Sequence, residues 1–152
     1  MAISQRVGRA VGQGSIDQAR FRGFLGTAVC VTIMSFTAIL IFTFPEKIVG
    51  IYTSDPEVLA LAVSLIFYAG LFQISDGLQV GGFGALRGLK DTQMPMIFNF
   101  ISYWLIGFSV GYYLGIVTDF GPGGLWIGLI SGLTVASILH NTRFHFLTKK
   151  TS

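Results

Sequence analysis

At 152 residues the chain has the length of one soluble domain. Its composition excludes that reading: 52% of residues are hydrophobic and only 11% charged, where soluble chains carry about 25% charged residues. With the single Cys30 no disulfide forms within the chain and no metal cluster is implied, and the net charge of +3 gains meaning only once the charges are placed.

In chain order, the first residues, "MAISQRVGRAVGQG", lack the apolar core of a cleavable signal peptide. They also lack the Gly-Lys-Ser/Thr ending of a phosphate loop. Four runs with little or no charge follow. Gly23 to Pro45 and Thr92 to Thr118 carry none, Val58 to Leu86 carries only Asp76, and Phe120 to Thr142 includes only His140 as a titratable exception. Each satisfies the requirement of roughly 20 apolar residues for a spanning helix. Fourteen phenylalanines and twenty glycines suit bilayer interfaces and close helix packing. The expected fold class is all-α: a polytopic membrane bundle of four spanning helices.

The connections are short, which makes consecutive spans antiparallel neighbours. "EKIVGIYTSDPE" joins the first two. Within it, Ser54 or Asp55 suits the N-cap of the next helix and Pro56 its first helical position. "RGLKD" joins spans two and three, and "DFGPGG" breaks the chain between three and four.

Topology then explains the charges. One side of the bundle holds Arg6, Arg9, Arg20, Arg22, Arg87, Lys90, Arg143, Lys149 and Lys150; the other holds only Lys47. The positive-inside rule makes the first side cytoplasmic, carboxy terminus included. Nucleic acid is therefore not an expected partner. Glu46, Asp55, Glu57 and Asp119 lie on the outer side.

Glycines recur every four residues: Gly77 and Gly81, Gly84 and Gly88, Gly107, Gly111 and Gly115, then Gly124, Gly128 and Gly132. Four residues is just over a turn, so each set shares a face where two helix backbones can approach closely. The same glycines would let helices bend or slide during transport.

Span two has a second face. At about 100° per residue, Phe72, Gln73, Gln79, Val80 and Phe83 fall within about 60° of Asp76, and the glycines lie about 110° away. An acid between two amides, with aromatics above and below, is costly in a bilayer and marks a functional site. A structural carboxylate would need a basic partner, and no Lys or Arg lies inside the other spans. The sharper reading turns Asp76 to a water-filled cavity, where it takes up a cation or a proton. Aromatic neighbours add a surface for lipophilic cations. His140 and His145 lack metalloprotease spacing and read as residues of the membrane interface. Ser131, Thr134 and Ser137 have no base at catalytic spacing, and Trp104 and Trp126 read as anchors or packing. No set of groups suggests an enzyme.

The strings "SQRVGRAVGQGSIDQAR", "FQISDGLQVGGFGALRGLKDTQMP", "YWLIGFSVGYYLG" and "GPGGLWIGLISG" together resemble the multidrug and toxic compound extrusion (MATE) family, in its NorM-like branch. The match runs in order over nearly the whole chain, and the second string is the most specific. The resemblance implies spans nine to twelve of a twelve-span, two-lobed transporter. Residues 1–22 would be the end of a span and a cytoplasmic loop. Residues 23–45, 58–86, 94–118 and 122–142 would be spans, and 143–152 a cytoplasmic tail. The implied function is export of lipophilic cationic compounds from bacteria across the inner membrane, in exchange for sodium ions or protons and without a cofactor. The implied site for the coupling cation and the drug is Asp76, with Gln73, Gln79, Phe72 and Phe83 around it; in a sodium-coupled protein Asp76 would ligate the sodium ion.

Two departures stand out. Phe108-Ser109 replaces the "GLP" of many members, and Phe72 stands where some carry a tyrosine hydroxyl. By that resemblance the first lobe and the first two spans of the second are absent, and with them the acidic partner expected on span seven, so the chain reads as a fragment. Alternatives are a self-sufficient four-span transporter acting as a dimer, and a lipid-linked flippase of the same superfamily. The latter would call for arginines inside the spans, and the chain has none there.

Overall fold

The computed structural model describes residues 2–118 and 120–149. Asp119 and Lys150, two of the charges in the topology argument, lie outside the described residues, as do Met1, Thr151 and Ser152. Six helices follow in chain order: α1 (Ala2–Gly12), α2 (Ile16–Thr43), α3 (Pro45–Gly50), α4 (Pro56–Gly88), α5 (Gln93–Val117) and α6 (Pro122–Lys149). The four long ones, α2, α4, α5 and α6, are long and apolar enough to cross a membrane.

Local chemistry sets the helix ends. Gly14 and Gly121 take the left-handed conformation, at φ of 74° and 64°, in the turns before α2 and α6. Pro45 cannot continue the hydrogen-bond ladder of α2 and instead opens α3. Asp55 caps α4: its Oδ1 accepts from the Glu57 and Val58 amides at 2.9 and 3.3 Å, and Pro56 follows. α2 starts at Ile16, ahead of the charge-free run, and α6 continues past Thr142 to Lys149. Charged residues are good helix formers, so the helix outlasts the apolar stretch at the bilayer surface.

Apolar side chains point outward over most of the bundle. Phe21, Ile33, Phe36, Trp104 and Phe108 are exposed on the long apolar helices. A dry core forms at one end, where α1 packs across α2 and α4 and Phe144 of α6 reaches in: Val7, Ala10, Ala19, Ala85, Leu86 and Phe144 are fully enclosed there.

Elsewhere the helices meet through glycine. Gly77 and Gly81 of α4 lie against Val31 and Thr27 of α2, and Gly88 lies against Val7 of α1. The two triplets face each other: Gly107 and Gly111 of α5 abut Gly128 of α6, and Gly115 abuts Gly124. A methyl on Gly128 would come within 2.5 Å of the Gly107 carbonyl oxygen. Only hydrogen fits at that backbone approach.

α5 is unusual. Ile101–Phe108 and Tyr113–Val117 follow π-helical hydrogen bonding, with the Ser109–Tyr112 turn between them α-helical. The wider π turn brings residues four apart nearly into line. Phe100, Trp104, Phe108 and Tyr112 accordingly form a ladder, with successive ring centroids 6.5, 6.1 and 6.2 Å apart.

Candidate functional site

α4 has two working sides. Its glycine stripe is consumed by α2 and α1, which turns the adjacent face, the one that carries Asp76, toward α5 and the near end of α6. Asp76, Gln73, Gln79, Phe72 and Phe83 are all half-buried.

Gln79 is the most tightly held. Its Nε2 donates to Asn99 Oδ1 at 3.2 Å and to Tyr103 Oη at 2.9 Å, both on α5. With both amide hydrogens engaged, its carbonyl oxygen is left to accept. Asp76 lies one turn before Gln79 on the same helix, so the hydrogen bond from Gln79 to Tyr103 is made beside the acid. No salt bridge or hydrogen bond from another described residue engages the Asp76 carboxylate. The structural alternative, a basic partner on a neighbouring helix, has no counterpart among the described residues.

The aromatics divide. Phe72 stands edge-on to Trp126 of α6, with ring centroids 6.1 Å apart at 87°. Phe83 lies toward the other end of α4 and packs on His140, at 5.8 Å between centroids. One end of the face is therefore walled by Phe72 and Trp126, and the other by Phe83 and His140. A neighbouring hydrogen bond, Ser75 Oγ to Thr134 Oγ1 at 2.9 Å, fastens α4 to α6 beside the acid. Asn141 Nδ2 adds another, to the Leu78 carbonyl at 3.0 Å.

Asn99 and Tyr103 were not singled out from the sequence, although a signal existed. Asn99 is the one amide in the apolar part of α5, and a lone amide at bilayer depth needs a partner. His140 also differs from its expected place at the membrane interface. It is fully buried, with Nε2 3.4 Å from the Pro95 carbonyl oxygen and the Phe98 ring tilted against it at 6.1 Å between centroids. Its position along α6 is near the helix end, but its direction is inward. His145 is half-buried, with Nδ1 3.3 Å from an Arg20 guanidinium nitrogen.

An apolar hollow of about 370 Å³ between α5 and α6 touches this region only through Tyr103. Its other walls, including Trp104, Phe108 and Leu129, are apolar, so it is separate from the acid. Among the described residues no group of three or more His, Cys, Asp or Glu side chains gathers to hold a metal ion. The oxygen ligands that the Asp76 face of α4 carries are one carboxylate and two glutamine carbonyls, and the Tyr103 hydroxyl of α5 lies 2.9 Å from Gln79 Nε2. Oxygen ligands of this kind suit a hard cation.

Residues 1–113 match the model of the MatE family. The chain is 43% identical to the multidrug resistance protein MdtK of Yersinia enterocolitica over 156 residues, covering all of this chain and 34% of that protein. It is also 43% identical to MdtK of Yersinia pseudotuberculosis, over 99% of this chain and 34% of that one. The chain thus spans about a third of the length of the curated relatives it matches. Its fold superposes on the crystal structure of the eukaryotic MATE transporter AtDTX14 with a TM-score of 0.83 at 22% identity, over 99% of this chain and 36% of that one.

Proposed function

The chain belongs to the MatE family, and from that premise we propose that it acts as the carboxy-terminal part of a multidrug efflux antiporter driven by sodium ions or protons. Its setting is the bacterial inner membrane, with the carboxy terminus in the cytoplasm, in keeping with the bias of basic residues. The remaining helices of the transporter, including a first lobe, complete the substrate cavity.

The observation that carries the reading is Asp76. An ionised carboxylate at bilayer depth is costly, and no described side chain neutralises it. A coupling ion or proton supplies the missing charge. The Gln73 and Gln79 carbonyls can add oxygen ligands to a sodium ion, and a proton on Asp76 does the same electrostatic work without them. A lipophilic cationic drug competes for the same carboxylate, with its apolar body against Phe72 and Phe83. Only one cation is held at a time, and this mutual exclusion links drug release to ion entry. Rocking of the lobes then exposes the site alternately to the two sides. The glycine contacts between α5 and α6 give that motion a smooth seam.

Asp76→Asn in the complete transporter tests this. The expected result is loss of ion-stimulated drug efflux with normal membrane insertion. Efflux with unchanged ion dependence would remove Asp76 from the mechanism.

A further inference from the structure

Two adjacent residues of α6 reach into different neighbours. His140 is fully buried, and its Nε2 lies 3.4 Å from the Pro95 carbonyl oxygen of α5. A carbonyl can only accept, so in this contact the hydrogen sits on Nε2. Asn141 donates from Nδ2 to the Leu78 carbonyl of α4 at 3.0 Å and to the Ser137 carbonyl of its own helix at 2.8 Å. Consecutive helical residues point about 100° apart, which lets one side chain serve α5 and the next serve α4. Gly82 of α4 permits the approach: a Cβ there would stand 2.8 Å from Asn141 Nδ2 and 3.0 Å from His140 Cβ. Phe83 of α4 and Phe98 of α5 flank the imidazole, at 5.8 and 6.1 Å between centroids.

These contacts close a circuit. Leu78 is the chain neighbour of Gln79, whose amide donates to Asn99 Oδ1 of α5 at 3.2 Å. Asn99 is about one turn from Pro95, and Pro95 leads back through His140 to Asn141. Gln79–Asn99 joins α4 to α5, Pro95–His140 joins α5 to α6, and Leu78–Asn141 joins α4 to α6. One interhelical bond leaves a helix free to turn about it. A closed triangle restrains the rotation and the sliding of all three spans together. Gln79 is the member of the triangle that stands one turn from Asp76 on the same face of α4.

We propose that His140 and Asn141 are positioning residues for the ion site. The triangle sets the rotation of α4 against α5 and so keeps the Gln79 carbonyl beside the Asp76 carboxylate for the coupling ion. Neither α6 residue touches the ion or the drug; both act through Gln79. The proposal rests on the reading of Asp76 given above.

The test uses the complete transporter, with efflux measured across a sodium series and a pH series. His140→Phe keeps a ring between Phe83 and Phe98 but lacks the N–H, and Asn141→Leu lacks the amide. Each should raise the ion concentration for half-maximal efflux by about three- to tenfold, with maximal efflux and membrane insertion retained. His140→Gln, which restores an N–H donor, should recover most of the shift. In a Gln79→Leu background neither variant should shift it further. An unchanged half-maximal concentration would overturn the proposal, as would a loss confined to maximal efflux or a shift that persists in the Gln79→Leu background. Nitrogen NMR of histidine-labelled protein reads the clasp directly. The His140 signal, identified by its loss in His140→Gln, should show a hydrogen on Nε2, and a bare Nε2 would also overturn the proposal. Asp76→Asn is measured alongside. If it loses ion dependence while the α6 variants leave half-maximal efflux unmoved, the positioning role alone fails. If it keeps ion dependence while they shift theirs, the reading of Asp76 fails and the triangle acts on Gln79 alone.

Discussion

Gln79 Nε2 lies 2.9 Å from Tyr103 Oη across the seam between α4 and α5, and the same amide reaches Asn99 Oδ1 at 3.2 Å. One side chain of the acid-bearing face is thereby fastened to the next span. In a membrane such interhelical hydrogen bonds contribute about 0.6 kcal/mol on average and about 1.7 at most. The pair is thus a modest anchor, and its larger effect falls on what surrounds Asp76.

Tyr103→Phe should cost the complete transporter about 1 kcal/mol of stability or less. It should also weaken the dependence of drug efflux on the coupling ion, since it removes the hydroxyl that holds Gln79, one turn from Asp76 on the same face. Efflux measured across a sodium series and a pH series provides the check. If both series overlay those of the unaltered protein, Tyr103 is packing alone.

Phe72→Tyr works in the opposite direction. Position 72 is one turn before Asp76 on the same helix face, so a hydroxyl there gains the reach to share a cation. Half-maximal stimulation of efflux should occur at several-fold lower ion concentration. An unchanged or higher requirement would show that the ring of Phe72 points away from the ion.

Gly128→Val should separate α5 from α6. A Cβ on Gly128 meets the backbone of Gly107 and Gly111, which has nowhere to retreat. The expected destabilisation is about 2–3 kcal/mol or more, the upper part of the range for overpacking. Gly12→Ala is the matched control, because nothing lies within 4 Å of a Cβ there. Thermal unfolding in detergent measures both, and equal midpoints would sink the idea that the triplets form a close-packed seam.

Arg143→Ala tests the pair formed by Arg143 Nε and Asp91 Oδ2 at 2.5 Å, which ties α6 to the turn between α4 and α5. The side chains are 32% and 14% exposed, so solvent screens the pair only in part. A double-mutant cycle with Asp91→Asn should give a coupling of about 1 kcal/mol or less. Raising the salt concentration should reduce it. A coupling that is absent at low salt would count against the pair as an anchor.

Much of the architecture was legible because the bilayer imposes strict rules. A span must be apolar over roughly 20 residues and must satisfy its own backbone, so four charge-poor runs translate directly into four long helices. The Asp55-Pro56 cap was readable for a local reason: carboxylate, amides and proline ring are all neighbours in the chain. Periodicity also set Asp76, Gln73 and Gln79 beside one another, because a helix fixes angular spacing regardless of its surroundings.

Partnership was another matter. The sequence supplied two glycine triplets but not the fact that Gly107 and Gly111 meet Gly128, since each helix alone leaves its rotation and register free. It supplied Gln79 without Asn99 or Tyr103. His140 was placed by its depth along α6, yet depth says nothing about direction, and the ring faces Phe83, Phe98 and the Pro95 carbonyl. The sequence by itself determined which segments enter the membrane and what each helix face carries, because hydropathy and helical pitch are properties of one segment. Only the tertiary structure decided which faces meet. In a bilayer that choice rests on close packing and interhelical hydrogen bonds between segments of similar hydropathy, and those depend on the shapes of two surfaces at once.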